Sequence, residues 1–179
     1  EALVIREDGH IETQEKPEVV DSQGAVNTPK NITDIIIEET LRPLYAGKTP
    51  EEVSQYRIAD ICCGSGNFLL SAFEYIVNYY IEYYRQHDIE NAIQCGHIYQ
   101  APGSTNYMLS YDIKRSVLQN NIFGVDIDPL AIEVTKFSLL LKALESSSLE
   151  ELEEYHQRTH NRILPNLDEN IKNGNSLVD

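Results

Sequence analysis

The feature that most constrains the fold is a glycine turn that joins a short apolar segment to a long helical pattern. Residues 57–63 read R-I-A-D-I-C-C and stop at Gly64, so they predict a short buried strand. After the turn Gly64-Ser65-Gly66, the apolar spacing from Asn67 onward is that of a helix. We expect its tyrosines to pack in the core and at the rim rather than to stack on bases. The apolar face comprises Phe68, Leu69, Ala72, Tyr75, Ile76, Tyr79, Tyr80 and Tyr83.

A second strand and helix are predicted further along the chain. Residues 122–126 (I-F-G-V-D) read as a buried strand, and residues 112–120 predict a short helix before it. Asp128 suits the N-cap of the following helix, with Pro129 at its first position. One face of that helix is apolar and is expected to be its packing face: Leu130, Val134, Phe137, Leu141 and Leu144.

The flanking segments complete an alternating pattern. Thr28 and Pro29 open a helix that Pro43 and Gly47 end. Ser148 and Glu151 form a capping box for an acidic helix. Residues 1–23 show no sustained periodicity and read as a lead-in to a domain that spans residues 24–179.

Two further segments carry weaker signals. Residues 86–110 predict an insertion loop with one short helix, and residues 171–177 predict a third strand or a strand-to-loop transition. Strands that alternate with helices predict an α/β domain with a parallel sheet.

Composition limits the function classes. The net charge of −15 argues against duplex DNA binding by this chain alone, because such binding uses Lys and Arg to displace counterions. The acidity is also consistent with a simpler role, which is to keep the domain soluble. No apolar stretch is long enough to cross a bilayer. The chain begins with Glu rather than Met, so we expect it to be a segment of a longer protein.

The cysteines and histidines do not predict a metal site. The three cysteines, Cys62, Cys63 and Cys95, form no C-x-x-C pair, and no zinc-type Cys/His spacing occurs. Reduced thiols fit a cytoplasmic protein. We expect Cys62 and Cys63 to pack beneath the glycine turn rather than to act as nucleophiles.

Three polar loops follow the three predicted strands, at the edge where open α/β sheets hold their ligands. They are the glycine turn, the loop that begins at Asp126, and residues 173–177 (N-G-N-S-L). The turn predicts a close backbone approach to a ligand, and Asp126 can accept hydrogen bonds from ribose hydroxyls. Each is also consistent with an ordinary turn. A dinucleotide site fits less well, because Leu69 stands where G-x-G-x-x-G has its last glycine.

Four segments together resemble a known family. Residues 24–32 (G-A-V-N-T-P-K-N-I), 59–70 (A-D-I-C-C-G-S-G-N-F-L-L), 121–132 (N-I-F-G-V-D-I-D-P-L-A-I) and 173–177 occur in this order. They resemble the opening motifs of adenine-specific DNA methyltransferases from restriction-modification and related phage-defence systems. The resemblance implies a partial Rossmann-like class I methyltransferase fold, with a truncated three-stranded parallel sheet and flanking helices. It also implies S-adenosyl-L-methionine as the cofactor.

The resemblance assigns roles to individual residues. The cofactor-binding residues that it implies are Thr28 and Pro29 along the methionine part, Asp60, Cys63, Gly64 and Gly66 around the methionine and sugar, Asp126 on the ribose, Ile127 against adenine, and Asn175 on the adenine amino group. Asn175 stands where the family often has Asp, so an acceptor is kept while the charge is lost.

The family's catalytic motif, Asn/Asp-Pro-Pro-Tyr/Phe, is missing, since the chain contains no Pro-Pro pair. We therefore expect no catalytic residue and no activity in this segment, with DNA bound by other regions of the intact protein. Two alternatives stay open: a protein-glutamine or ribosomal RNA methyltransferase, and a non-catalytic binding module. A truncated sheet would also leave the first strand, near Ile58, without a partner on one side, which predicts a homodimer through that edge.

Overall fold

The computed structural model describes the backbone of residues 2–5 and 11–14, and residues 28–100 and 105–177 with their side chains. The remaining residues, including 24–27 of the first family-like segment and part of the insertion, lie outside the described ranges. In chain order the elements are β1 (Ala2–Ile5), β2 (Ile11–Gln14), α1 (Lys30–Tyr45), α2 (Pro50–Val53), β3 (Ile58–Asp60), α3 (Asn67–His87), α4 (Ile89–Gln94), β4 (Ile98–Gln100), β5 (Tyr107–Leu109), α5 (Tyr111–Asn121), β6 (Ile122–Asp126), α6 (Pro129–Leu144), α7 (Leu149–Thr159) and β7 (Ile171–Asn173).

A three-stranded parallel sheet with the order β3-β6-β7 forms the centre of the fold, as the alternating pattern predicts. Asp60 lies opposite Gly124, and Asp126 lies opposite Asn173. The carboxyl ends of all three strands therefore meet at one edge. Within the described residues, β3 pairs on one side only. Strands β1 and β2 form a separate antiparallel hairpin, in a segment for which the sequence predicts no regular element.

Helices α3 and α6 pack on one face of this sheet, and α1 packs against α3. Ile122 and Ile171 are each 1% exposed on the covered face. Gly124 lies directly opposite Ile171 in the register, and a Cβ at this position would come 2.7 Å from Leu69 Cδ1. The absence of a side chain at Gly124 thus lets α3 approach the sheet closely.

The packing face of α6 differs from the predicted one. Leu130 is 72% exposed and Phe137 is 62% exposed, and Val134 and Leu141 are also exposed, while Leu144 is partly buried. The opposite face is buried and consists of Ile132, Thr135, Leu139 and Ala143. The helix is apolar on both faces, so spacing alone could not select one. Packing of the Thr135 face against the sheet and the glycine turn sets the rotation of the helix.

The tyrosines of α3 confirm the packing expectation. Tyr80 is buried and donates a hydrogen bond to the Pro50 carbonyl at 2.9 Å. The Tyr79 hydroxyl lies 2.6 Å from the Tyr45 carbonyl and 2.8 Å from the Lys48 carbonyl. These side chains attach α3 to the end of α1 and to the residues that follow it.

The insertion is more ordered than the predicted loop. It contains the expected short helix α4, but β4 and β5 also pair as an antiparallel hairpin that contacts α3. Ile98 and Leu109 lie opposite each other and are both buried. Strands β4 and β5 lie in a segment that contains Gly, Pro, Ser and Asn and has weak periodicity, so its sequence reads as a loop.

Only half of the predicted capping box forms at α7. The Ser148 hydroxyl accepts the Glu151 N–H at 3.1 Å, as expected. The Glu151 carboxylate instead accepts the Tyr111 N–H at 2.6 Å and the Tyr99 hydroxyl at 3.2 Å. Tertiary contacts therefore redirect this side chain. Across the described ranges, no helix combines the length and apolar character that a bilayer span requires.

Candidate functional site

The carboxylate of Asp126 joins the loop after β6 to the glycine turn. Its Oδ2 accepts the Gly64 N–H at 2.7 Å, and its Oδ1 accepts the Asp128 N–H at 2.9 Å. Gly64 and Asp126 are separated by 62 positions in the chain. A carboxylate has about four lone-pair positions, so each oxygen keeps one for a further donor. The two loops therefore meet around a half-buried, oriented negative charge.

Two glycines of the turn have backbone angles that L side chains rarely adopt, with φ of 50° at Gly64 and 83° at Gly66. The Thr135 hydroxyl of α6 donates to the Gly64 carbonyl at 2.8 Å. A Cβ on Gly66 would lie 2.7 Å from Thr135 Cγ2. The turn thus needs glycine at position 66 both for its conformation and for the close contact with α6.

The glycine turn leads directly into the N-terminus of α3. Gly66 is the N-cap residue and offers no side-chain hydrogen bond to the first turn. The first intrahelical bond joins the Leu70 N–H to the Gly66 carbonyl at 2.9 Å. N–H groups in the first turn of a helix lack helical partners and favour a negatively charged group. This end of α3 is therefore suited to hold the carboxylate of a ligand.

Cys63 has a structural place beneath the turn. Its N–H donates to the Val125 carbonyl at 3.0 Å, and its side chain is 6% exposed. Burial, together with the charges of Asp60 and Asp126, raises the pKa of its thiol to about 11. Such a thiol stays protonated at neutral pH and is a poor nucleophile. The expectation that both cysteines pack beneath the turn is wrong for Cys62, which is exposed.

The other predicted residues lie around this edge to differing degrees. Asp60 Oδ1 accepts the Cys62 N–H at 3.1 Å, which shapes the entry to the turn. Ile127 is 73% exposed and projects from the loop that Asp126 begins. Asn175 is also exposed, and its side chain makes a local bond that accepts the Leu177 N–H at 3.0 Å.

Thr28 is brought to the glycine turn by a residue that the sequence analysis does not single out. The Asn67 side-chain amide donates to the Thr28 carbonyl at 3.1 Å. Pro29 is exposed and is the N-cap residue of α1. The N-terminus of α1 therefore lies beside the first turn of α3.

Asn173 attaches the third loop to the loop at Asp126. Its side-chain amide donates to the carbonyls of Asp126 at 3.0 Å and Ile127 at 2.9 Å. The Gly174 N–H adds a bond to the Asp126 carbonyl at 2.9 Å. Sequence reasoning missed Asn67, Thr135 and Asn173. A polar residue on the buried face of α6 and an amide at each strand or helix end are the signals that could have found them.

The two main grooves on the surface lie away from the glycine turn and Asp126. A groove of about 690 Å³ lies between α1, α3 and α6, and one of about 310 Å³ lies between α3, β5 and the end of α6. Neither is lined by Gly64 or Asp126. Converging backbone donors and a fixed carboxylate are found at the carboxyl edge of the sheet, so we locate the candidate site there. In the described part of the chain, no three His, Cys, Asp or Glu side chains group as metal ligands do.

Comparison with known proteins relates the chain to DNA methyltransferases. The profile of the family described as "MmeI, DNA-methyltransferase domain" matches residues 42–179. The type II restriction enzyme and methyltransferase RM.Eco57I of Escherichia coli is 36% identical over 179 residues, all of this chain. A putative type II restriction enzyme and methyltransferase, RM.MjaORFECS2P of Methanocaldococcus jannaschii, is 29% identical over 87% of the chain. The adenine-specific methyltransferase PglX of Streptomyces coelicolor is 26% identical over 72% of the chain.

The relatives are much longer than this chain, which spans 17%, 14% and 9% of their respective lengths. The matched region nevertheless contains the parallel sheet, the glycine turn and the loop at Asp126. The chain belongs to the family of MmeI-type DNA-methyltransferase domains.

Proposed function

We propose that this chain forms the S-adenosylmethionine-binding half of a DNA methyltransferase that modifies the exocyclic amino group of adenine in a restriction-modification system. The observation that carries the proposal is the hydrogen bond between the Gly64 N–H and the Asp126 carboxylate. It joins a backbone turn suited to close ligand approach with an acceptor suited to a ribose. The chain has no Pro-Pro pair, so the proposal gives it no catalytic residue.

The residues at the sheet edge fit the parts of this cofactor. Asp126 would accept the ribose hydroxyls with the lone pairs left free by Gly64 and Asp128, and exposed Ile127 would lie against the adenine ring. The first turn of α3 would hold the cofactor's carboxylate beside Thr28. The bound cofactor would supply a methyl group on a sulfonium sulfur, which is a good leaving group.

Adenine as the acceptor is supported by the four family-like segments and by similarity to a protein named as adenine-specific. The net charge of −15 supports DNA binding by other parts of the intact protein. A flipped-out base is the form that such an enzyme would act on, because the amino group is not accessible within the duplex. Membership of a DNA-methyltransferase family makes protein-glutamine and ribosomal RNA the less favoured acceptors.

Cofactor binding is tested by calorimetry on the full-length protein that carries this chain. Asp126→Asn keeps the shape but loses the charge, and hydrogen bonds to a charged group are worth about 1.5–3 kcal/mol. We therefore expect the affinity for S-adenosylmethionine to fall by roughly ten- to a hundredfold. Asp128→Asn is the matched control, since Asn is an equally good N-cap and should leave affinity unchanged. Equal affinity in wild type and Asp126→Asn contradicts the proposed ribose contact.

The acceptor is tested by product analysis. Full-length protein is incubated with duplex DNA and a methyl-labelled cofactor, and the DNA is digested to nucleosides. The proposal expects the label in N6-methyldeoxyadenosine. Label in a cytosine product, or label only when RNA or protein is supplied instead, would refute the assignment of adenine.

A further inference from the structure

One face of α3 is polar where it meets α1. Asn67, Ser71 and Glu74 are spaced i, i+4 and i+7, which places them on a single side of the helix. The rest of the helix buries apolar side chains such as Phe73 and Ile76. We call these three residues the polar stripe of α3.

Every residue of the polar stripe contacts α1 or Thr28, which precedes the N-cap residue of α1. Asn67 donates to the Thr28 carbonyl, as described above. The Ser71 hydroxyl, 4% exposed, donates to Asp34 Oδ1 at 2.7 Å and lies 2.8 Å from the Thr33 hydroxyl. Glu74 Oε2 accepts Lys30 Nζ at 2.5 Å, and Glu74 Oε1 accepts Lys142 Nζ of α6 at 2.6 Å.

Polar contacts between helices have a different consequence from apolar ones. Desolvation of the polar groups offsets much of their interaction energy, so they add little net stability. Their geometry is directional, however, whereas an apolar face tolerates sliding. A shift of α1 by one residue moves its backbone about 1.5 Å along the axis and breaks these bonds. The polar stripe therefore selects one register of α1 on α3.

That register has its effect at the candidate site. The stripe begins at Asn67, which follows the N-cap Gly66 directly. Its partner on the other side is Thr28, just before the N-cap Pro29 of α1. The hydrogen bond from Asn67 to Thr28 thus joins the start of α1 to the start of α3, directly after the glycine turn.

We propose that Asn67 is a positioning residue that holds Thr28 and Pro29 against the glycine turn, and so sets the affinity for the amino-acid end of the cofactor. The inference rests on the proposed function. Asn67 would act on the cofactor through the Thr28–Pro29 backbone. A role of this kind predicts that loss of the Asn67 side chain weakens a ligand that carries the amino-acid end more than a ligand that lacks it.

The experiment compares S-adenosylmethionine with 5′-methylthioadenosine, which keeps the nucleoside but lacks the amino-acid end. Both are titrated into the full-length wild type, Asn67→Ala and Asn78→Ala. Asn78 is an exposed residue of the same helix and provides a matched control. Loss of one hydrogen bond corresponds to roughly a three- to tenfold weaker binding of S-adenosylmethionine in Asn67→Ala. The affinity of Asn67→Ala for 5′-methylthioadenosine should stay within about twofold of the wild-type value, since that ligand lacks the part that would contact Thr28 and Pro29.

Hydrogen exchange supplies a readout that needs no cofactor. In Asn67→Ala the amides of residues 30–36 should exchange several times faster than in wild type, whereas Asn78→Ala should not change them. Equal weakening of both ligands, or unchanged exchange, overturns the positioning role. Failure of the wild type to bind either ligand, with exchange altered as expected, overturns the proposed function and leaves Asn67 with a purely structural contact.

Discussion

Replacement of Gly66 by Ala should disrupt the glycine turn far more than the same change at Gly64. Both residues have positive φ, 83° and 50° respectively. The space around them differs. A Cβ at Gly66 would lie 2.7 Å from Thr135 Cγ2 and 2.9 Å from its hydroxyl, whereas a Cβ at Gly64 would meet no atom within 4 Å. The pair therefore separates backbone strain from steric contact.

The magnitudes follow from these two terms. A non-glycine residue in the left-handed region costs about 1–2 kcal/mol, which applies to both variants. At Gly66 the contact with buried Thr135 adds an overpacking cost of about 1–3 kcal/mol. Displacement of Thr135 also endangers its bond to the Gly64 carbonyl, worth about 1 kcal/mol. We expect Gly66→Ala to cost about 3–6 kcal/mol of local stability and Gly64→Ala about 1–2 kcal/mol.

Native-state hydrogen exchange on the full-length protein measures this difference as the free energy of opening of α3. The double variant Gly66→Ala/Thr135→Ala removes the side chain that the new methyl group meets. It should be at least about 1 kcal/mol more stable than additivity of the single variants predicts. Equal losses in the free energy of opening for Gly66→Ala and Gly64→Ala, together with additivity in the double variant, would show that contact with Thr135 does not contribute to the cost of a side chain at position 66.

The other predictions concern the ion pairs of α3 and the edge of the sheet. Burial raises the pKa of Glu74, but hydrogen bonds from Lys142 and Lys30 outweigh it, so the folded value lies below the ordinary 4.5. This carboxylate stabilises the α1–α3 contact above pH 4.5 and loses that contribution as the pH falls through the lower folded value. Exchange in α1, corrected for intrinsic rates, should therefore become faster in wild type as the pH falls through the acidic range, and should change less in Glu74→Gln. Glu82→Gln is the control on the same helix. A pH profile in Glu74→Gln that equals the wild-type profile contradicts the prediction. We also expect the 179-residue chain to dimerise through the side of β3 that has no partner strand among the described residues, more strongly at high salt because screening reduces the repulsion from a net charge of −15. Sedimentation should show association that Ala59→Lys abolishes, and a monomer at all concentrations and salt levels contradicts the prediction.

Local signals were sufficient for much of the sheet edge. The strand of residues 122–126, the Asp128 cap and the start of α3 after Gly66 were all predicted from sequence and are all observed. Each depends on backbone preferences of a few adjacent residues, such as the φ of proline or the hydrogen bonding of a capping carboxylate. Such preferences act over one turn of chain and can be recognised without knowing what packs nearby.

The sequence alone therefore determined the order along the chain of the three parallel strands and the helices that flank them, the parallel arrangement of these strands and the types of residue at their carboxyl ends. The choice of the Thr135 face of α6, the attachment of Thr28 by Asn67 and the attachment of the third loop by Asn173 depended on the tertiary structure. The physical reason is that these contacts join residues distant in the chain, and a helix that is apolar on both faces, or a loop with two asparagines, has several locally equivalent solutions. Packing against the sheet selects one of them, because only that one both buries the core and satisfies the backbone of the glycine turn.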